Sequence, residues 1–251
     1  MSPTTQKFGL RLAADLDVMW ADLPILDRID AAGAAGFEGV ALSAPYDMPA
    51  KELQRALLRT GVSLVRIATP PPNYTGGARG FAATPGGEDR FQNDLRRALR
   101  YCTVLQIPML QLLAGPGESV EARSALRSNL EHAAEVAPVW AQFVIGPEQF
   151  AKGALRGSDD CIGFLREIDA RQLAVQLPCA LTRDSLTHSQ QAVQSFGSRV
   201  AAFILDTEPD QDSSLSLSDF AEPITQAGFK GWLIAAYSSE KHPEDTLRWM
   251  A

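Results

Sequence analysis

The chain is poor in the side chains that most often carry acid–base and metal chemistry. Its 251 residues include only three histidines, His132, His188 and His242. None of them falls at the end of an apolar run that could form a buried strand. The sequence therefore argues against acid–base catalysis by histidine and against a metal site built from histidines.

Cysteine is equally scarce. The three cysteines, Cys102, Cys161 and Cys179, are widely spaced and odd in number. This pattern argues against both a disulfide framework and a zinc knuckle.

Three further features that the sequence lacks argue against particular binding partners. The net charge is -7, and no basic stripe of the kind that nucleic-acid binders carry is present. No apolar run approaches the roughly 20 residues that a membrane-spanning helix needs. The first seven residues lack the apolar core of a signal peptide. We therefore expect a cytoplasmic protein that acts on a small molecule, with no nucleic-acid or membrane partner.

The chain does contain a regular alternation of short apolar runs and amphipathic stretches. Strands alternating with helices in this way predict an α/β fold with a parallel sheet. No Gly-x-Gly-x-x-Gly follows the first run, which favours a closed barrel over a dinucleotide-binding sheet. The predicted strands cover 8–14, 39–42, 63–68, 109–113, 142–145, 173–177, 201–205 and 232–236, and the predicted helices cover 23–35, 51–59, 89–101, 119–136, 160–170, 185–195 and 217–227.

The length of 251 residues suits one (β/α)₈ TIM barrel. Length alone would also allow two small domains, but no break in composition divides the chain. We therefore predict a single domain over residues 1–251. The longest irregular segment, 70–87, is of a length that is usually functional or disordered.

Four sequence motifs stand out along the chain. The long segment reads RIATPPPN at 66–73 and GFAATPGGE at 80–88, and LAG at 113–115 and GFKGW at 228–232 follow. These motifs resemble the hydroxypyruvate isomerase family of xylose-isomerase-like TIM barrels. The resemblance covers nearly the whole chain and implies the TIM-barrel fold. A homodimer is compatible with it.

The resemblance also implies a metal site whose ligands are replaced in this sequence. Family members bind one divalent cation through a glutamate, an aspartate, a glutamine and a second glutamate at the ends of strands five to eight. The matching positions here are Ile145, Pro178, Ile204 and Ala236, and Leu181 stands where a histidine is expected. None of the four has a side-chain oxygen, which a hard cation requires. Because the two glutamates also transfer the proton, the family's general acid and base are missing too. We expect no metal and no cofactor at this site.

The remaining polar candidates are those expected at the carboxyl ends of the strands, where TIM barrels place their active sites. Four carboxylates are candidate acid–base groups, and an arginine and a tyrosine are candidates to stabilise negative charge developing on oxygen. The catalytic candidates are Asp15, Glu148, Asp206 and Glu208, together with Arg66 and Tyr237. The candidates for lining the substrate pocket are Arg11, Tyr46, Thr69, Tyr74, Gln111, Ile145, Gln176, Pro178, Cys179, Ile204 and Ala236.

Structural alternatives exist for the charged candidates. Asp206 could cap the following helix or turn. An arginine inside a barrel needs an anionic partner, so Arg66 and Arg11 could pair with a carboxylate of the fold, such as Asp15 or Glu148, or with an acidic substrate.

The other candidates also have structural alternatives. Cys179 could be a small buried apolar residue rather than a nucleophile, because no histidine base is evident. Tyr237 could pack in the core or donate a hydrogen bond to a carbonyl. Tyr46 and Tyr74 could simply pack within their loops.

Three functional hypotheses follow. The leading one is a metal-independent isomerase, cyclase or lyase that transfers a proton on a carbonyl-bearing, relatively apolar molecule. An apolar pocket suits a larger and less hydrated ligand than a three-carbon sugar acid, so hydroxypyruvate is not the expected substrate. The second is a non-catalytic pseudoenzyme that binds a small molecule or a protein. The third keeps a metal at a shifted site built from Asp206, Glu208 or Glu148.

Overall fold

The computed structural model describes residues 9–70, 80–147, 153–209 and 215–237. Eight parallel strands follow one another in chain order around a closed barrel, which confirms the predicted fold class. The strands are β1 (Arg11–Asp15), β2 (Gly39–Ala41), β3 (Ser63–Ala68), β4 (Met109–Gln111), β5 (Gln142–Ile145), β6 (Leu173–Cys179), β7 (Val200–Leu205) and β8 (Trp232–Ala235).

Seven α-helices lie between the strands in the described ranges, and none of these helices is long and apolar enough to cross a membrane. Two short 3₁₀ turns, Pro45–Asp47 and Gly197–Arg199, complete the regular structure of those ranges. The helices are α1 (Ile25–Ala34), α2 (Ala50–Thr60), α3 (Glu88–Leu105), α4 (Val120–Val136), α5 (Ser158–Arg166), α6 (Arg183–Phe196) and α7 (Leu217–Gln226).

Local sequence signals explain where several helices begin. The hydroxyl groups of Ser119, Thr182 and Ser216 accept backbone N–H bonds three residues further on, at α4, α6 and α7. These bonds satisfy N–H groups that have no partner inside the first helical turn. The helix starts are therefore encoded locally by residues of the type that favours N-caps.

The backbone contacts group the chain into two compact units. The first contains the described residues of Met1–Ala41, Lys51–Val65 and Gln176–Ala251, and the second contains those of Leu42–Ala50 and Arg66–Val175. The expectation of a single domain over the whole chain stays a prediction.

In the first unit, β8 pairs with β7 on one side and with β1 on the other. Trp232 lies opposite both Ala202 and Arg11, and Ile234 lies opposite both Ile204 and Ala13. β1 in turn pairs with β2. Residues in register on neighbouring strands present their side chains to the same face of the sheet. The register therefore fixes which residues of β7, β8 and β1 share a face.

Gly39 identifies the interior face. A Cβ on Gly39 would lie 2.6 Å from Cγ1 of Val65 and 2.9 Å from Cζ3 of Trp232. These residues belong to β2, β3 and β8, and side chains from strands so far apart in the order converge only inside a barrel. The face that carries Trp232 and its register partner Arg11 is therefore the interior, whereas Phe203 packs its ring 4.8 Å from that of Phe229 on the other face.

The second unit contains the pairings of β3 with β4, β4 with β5, and β5 with β6. Ala68 lies opposite Gln111, Gln111 opposite Val144, and Ile145 opposite Val175. These strands are almost wholly apolar, as is usual when both faces of a parallel sheet are covered.

Gly231, in the motif that enters β8, packs closely against the backbone of β7, and substituting it tests this contact. A Cβ there would lie 2.2 Å from the carbonyl oxygen of Ala201, a backbone atom that no change of rotamer can move. We expect Gly231→Ala to lower the free energy of unfolding by about 1–3 kcal/mol, the usual effect of overpacking. Urea unfolding followed by circular dichroism measures this.

Gly163 of α5 provides the matched control, because nothing lies within 4 Å of a Cβ built on it. Gly163→Ala should stabilise the protein by about 0.4–1 kcal/mol, since it reduces the freedom of the unfolded chain. Equal stability of the two variants would contradict the packing at Gly231.

Candidate active site

The strand ends of β7, β8 and β1 form a group that we call the strand-end cluster: Asp15, Ile204, Asp206 and Ala236. Asp15 is two residues beyond Ala13, and Ala236 is two residues beyond Ile234, so both continue the interior face. Ile204 is the register partner of Ile234, and Asp206 follows it by two residues. The backbone N–H of Ala236 donates to the carbonyl of Leu205 at 2.8 Å, so the pairing continues to the last residue of the cluster.

The cluster therefore has a carboxylate on each side of an alanine. Neighbouring strands are about 4.8 Å apart, so the backbones of Asp15 and Asp206 are separated by roughly 10 Å with Ala236 between them. Ala236 is the position that matches the family's second glutamate.

Asp15 is held in place at the end of β1. It is 6% exposed, and one of its carboxylate oxygens, Oδ1, accepts the backbone N–H of Asp17 at 3.0 Å. Its own carbonyl accepts the backbone N–H of Val18 at 3.2 Å and that of Met19 at 2.9 Å. Both the backbone and the side chain of Asp15 are thus fixed by one tight turn.

Asp206 differs from Asp15 in its exposure to solvent. It is exposed, and its carboxylate accepts the hydroxyl of Thr207 at 3.3 Å. The next helix in the described ranges, α7, is capped by Ser216. Asp206 therefore does not cap α7, and its capping of a turn stays an alternative. Glu208, two residues further on, is half-buried.

Cys179, at the end of β6, is buried next to Asp206. Burial raises the pKa of the Cys179 thiol, and the negative charge of Asp206 raises it further. A protonated thiol is a weak nucleophile, which favours the interpretation of Cys179 as a small buried residue. Of its neighbours in β6, Gln176 is buried and Pro178 is exposed.

Tyr237 and Arg11 are not members of the strand-end cluster. Strand alternation puts Tyr237 on the opposite face from Ala236, and only 3% of it is exposed, which favours a packing role. Arg11 is the first residue of β1, at the opposite end of the strand from Asp15. Its guanidinium lies 4.5 Å from the centre of the Trp232 ring and donates to the carbonyl of Lys230 at 2.6 Å. The structure thus gives Arg11 partners within the fold.

In the second unit, two predicted lining residues take part in structural bonds. The Thr69 hydroxyl accepts the backbone N–H of Leu113 at 3.2 Å, which ties the ends of β3 and β4 together. The Tyr46 hydroxyl donates to the carbonyl of Ala68, and the Tyr46 ring meets that of Tyr101 edge-on at 5.1 Å. Burial raises the pKa of Tyr46, so its hydroxyl stays protonated. These contacts favour the loop-packing interpretation of Tyr46.

The other candidates of the second unit differ in burial. Arg66 is only 4% exposed and Ile145 only 1% exposed, whereas Gln111 is half-buried. Arg66 lies opposite Met109 in the register, and its carbonyl accepts the backbone N–H of Leu42 at 3.1 Å. Tyr74 and Glu148 lie outside the described residues.

Asn129 was not among the residues predicted from the sequence. It binds the last part of the long irregular segment 70–87. Its side-chain amide is buried and donates to the carbonyl of Ala82 at 2.9 Å. At Gly80, φ is +92° and a Cβ would lie 2.0 Å from the carbonyl oxygen of Leu113, so only glycine fits there. A buried asparagine in the middle of a helix was the available signal, but the sequence does not show which carbonyl it binds.

The four positions that match the family's metal ligands do not fit a divalent cation. In the first unit they are Pro178, Ile204 and Ala236, and in the second unit the position is Ile145. Hydrocarbon side chains supply no oxygen to a hard cation. Among the residues that the structure describes, no group of three or more His, Cys, Asp or Glu side chains is arranged to hold a metal ion.

The burial of the cysteines has a chemical consequence. All three are buried thiols outside any disulfide, and burial raises the pKa of Cys102 to about 12. Because alkylation requires the thiolate, we expect iodoacetamide at pH 8 to leave the folded protein unmodified and to label all three thiols after denaturation. Mass spectrometry counts the labels. Rapid labelling of Cys179 in the folded protein would instead indicate an activated nucleophile.

Known proteins resemble this chain over almost its full length. The 2-oxo-tetronate isomerase of Cupriavidus necator is 27% identical over 252 residues, which cover 96% of this chain and 97% of that protein. The putative hydroxypyruvate isomerase of Danio rerio is 27% identical over 265 residues, covering 96% and 94% of the two chains. These curated relatives are named as isomerases.

Solved structures agree on the fold. An AP endonuclease of family 2 from Brucella melitensis superposes with a TM-score of 0.85 at 24% identity, covering 96% of this chain and 97% of that chain. A 3-keto-D-glucoside 4-epimerase from E. coli gives a TM-score of 0.73 at 15% identity, with coverage of 96% and 98%. A family model described as xylose isomerase-like TIM barrel matches residues 29–251. The chain therefore belongs to the xylose isomerase-like TIM barrel family.

Proposed function

We propose that the protein is an isomerase-type enzyme that transfers a proton on a carbonyl-bearing small molecule without a divalent metal ion. Asp15 and Asp206 would be its acid–base groups. The observation that supports the proposal is their position: Asp15 is the last residue of β1 and Asp206 directly follows β7, the two strands that flank β8. Side-chain alternation from the register assigns both to the interior face, beside Ala236. The names of the relatives, which are isomerases, support the reaction class.

The two carboxylates suit different tasks because their surroundings differ. Asp15 is buried, and its Oδ1 accepts a backbone N–H, which fixes the direction of the carboxylate. Asp206 is exposed and can exchange protons with solvent. Asp15 is therefore the better candidate for the base, and Asp206 for the group that exchanges protons with water.

The proposed step conserves atoms and electrons. Asp15 takes a proton from the carbon that bears a hydroxyl group next to the carbonyl, and an enediol forms as the carbonyl oxygen gains a proton. A proton then returns to the neighbouring carbon while the other hydroxyl loses its proton and becomes the new carbonyl. Substrate and product are isomers, so no oxidant or reductant is needed.

The same enediol gives cyclase chemistry if its carbon adds to a second carbonyl of the molecule, whose oxygen takes up the proton. It gives lyase chemistry if a group on the adjacent carbon leaves with the bonding electron pair as the carbonyl re-forms. Ile204 and Ala236 add apolar surface on the face between and beside the two carboxylates. Such a surface favours a substrate with more hydrocarbon than a three-carbon sugar acid.

A non-catalytic binding protein is the alternative. Its support is the replacement of both family glutamates by Ile145 and Ala236, which lack any acid–base group. A ligand that raises the melting temperature without any proton exchange would favour this alternative.

Hydrogen–deuterium exchange at carbon tests the proposal before the substrate is known. The protein, treated with EDTA, is incubated in D₂O with a panel of hydroxyketones and hydroxyaldehydes, and proton NMR follows the loss of the C–H signal. For the compound with the fastest exchange, Asp15→Asn and Asp206→Asn should each lower the rate by about 10²–10⁴-fold, the usual contribution of a general acid or base.

Asp159→Asn is the matched control, since Asp159 is an exposed aspartate in the first turn of α5. Its exchange rate should equal that of the wild type. Wild-type rates in folded Asp15→Asn and Asp206→Asn proteins would refute the assignment. Exchange that disappears with EDTA and returns with Mg²⁺ or Mn²⁺ would refute metal independence.

The charges of the strand-end cluster also predict a substrate preference. Asp15 and Asp206 both carry negative charge when ionised, so a substrate carboxylate placed about 5 Å from each would be repelled by roughly 1–2 kcal/mol even in water-like surroundings. We expect kcat/KM for a neutral hydroxyketone such as dihydroxyacetone to exceed that for hydroxypyruvate by about tenfold or more. Steady-state kinetics on this pair measures the ratio, and a preference for hydroxypyruvate would contradict it.

A further inference from the structure

Arg28 of α1 makes hydrogen bonds to backbone carbonyls that the amino-acid sequence does not predict. Its guanidinium donates to three backbone carbonyls at 2.6 Å each: Nη1 to Leu16, Nη2 to Ala21 and Nε to Leu23. All three carbonyls belong to the loop that joins β1 to α1. One side chain therefore holds the start, the middle and the end of the segment that follows Asp15.

The first of these bonds acts next to Asp15. Leu16 is the residue after Asp15, and its backbone N–H donates to the carbonyl of Ala41 in β2 at 2.8 Å. The N–H side of Leu16 is thus fixed by the barrel, and its carbonyl is fixed by Arg28. The Asp15–Leu16 peptide is therefore held from both sides.

The other two bonds hold the rest of the loop. Trp20 has a left-handed backbone, with φ of +54°, and is 3% exposed, with its ring 6.2 Å from that of Phe37 in an edge-on arrangement. A left-handed conformation is costly for a tryptophan and persists only where surrounding contacts hold it. The bonds from Arg28 to Ala21 and Leu23 hold the residues that directly follow Trp20.

The geometry points to Arg28 as a positioning residue that fixes the direction of the Asp15 carboxylate. Arg28 binds the carbonyls of the loop, the loop presents the backbone N–H of Asp17, and this N–H binds Oδ1 of Asp15. Each of the three carbonyls meets a different nitrogen of the planar guanidinium, whereas the three donors of a lysine all leave one nitrogen and cannot reproduce this spread. The inference rests on the proposed role of Asp15 as the base.

Arg28→Lys tests the inference, with Arg28→Met as a second variant that keeps the aliphatic stem if the first does not fold. For the compound that exchanges fastest, we expect kcat to fall by about 10–100-fold while KM stays within about a factor of two, because a misdirected base impairs the chemical step rather than binding. The acid limb of the pH–rate profile should move to higher pH, since loss of the Asp17 N–H bond disfavours the ionised carboxylate.

Amide hydrogen exchange gives a readout that does not depend on turnover. The amides of Asp17 and Met19, which bind the side chain and the carbonyl of Asp15, should exchange at least tenfold faster in Arg28→Lys. Arg59→Lys is the matched control: Arg59 is exposed and pairs with Asp30 at 2.7 Å on the surface of the same unit. Its kinetics, pH–rate profile and amide exchange should equal those of the wild type.

The outcomes separate this inference from the proposed function. Loss of activity in Asp15→Asn, together with a wild-type kcat and pH–rate profile in Arg28→Lys, would overturn the role of Arg28 and leave the proposed function standing. Faster amide exchange without a change in kcat or in the pH–rate profile would make Arg28 merely structural and would also overturn it. Full activity in Asp15→Asn would overturn the proposed function, and the role of Arg28 with it.

Discussion

The pairing of β8 with both β7 and β1 is the constraint on which the candidate site depends. Because parallel neighbours in register face the same way, this pairing puts Asp15, Ala236 and Asp206 on one face at one end of the strands. A shift of β8 by one residue against its neighbours would turn Ala236 away from the face that carries the two carboxylates. The bulky Trp232 fixes the register at the other end, since its ring reaches Gly39 across the intervening β1.

The pairing of β8 with β7 and β1 also relates the replaced metal-ligand position on β8 to the carboxylates on either side of it. By the resemblance, Ala236 stands where the family has a glutamate, while Asp15 and Asp206 place a carboxylate on each neighbouring strand. We propose that these two residues take over the acid–base role at this edge of the barrel. Each of the two carboxylates has a hydrogen bond of its own within the fold.

Much of the fold was predictable, because the apolar runs and the glycines that follow the helices are local signals. Gly36, Gly61 and Gly228 indeed have φ of +90°, +73° and +102° after α1, α2 and α7. The site was less predictable, because strand register is a long-range property. Arg11 and Asp15 look equivalent as polar residues of one strand, yet they lie at its opposite ends. The contacts of Arg28 depend on three carbonyls, whose direction no side-chain pattern encodes.

The most direct test of metal-free proton transfer relates the rate of isotope exchange to the metal content of the protein. Elemental analysis first establishes a preparation with less than about 0.01 divalent ion per chain, a level at which a metal-dependent rate would fall roughly a hundredfold by mass action. The account predicts that this preparation exchanges the substrate's C–H proton in D₂O at the full rate, and that added Mg²⁺, Mn²⁺ or Zn²⁺ leaves the rate unchanged. A rate that rises in proportion to bound metal and saturates at one ion per chain would contradict it.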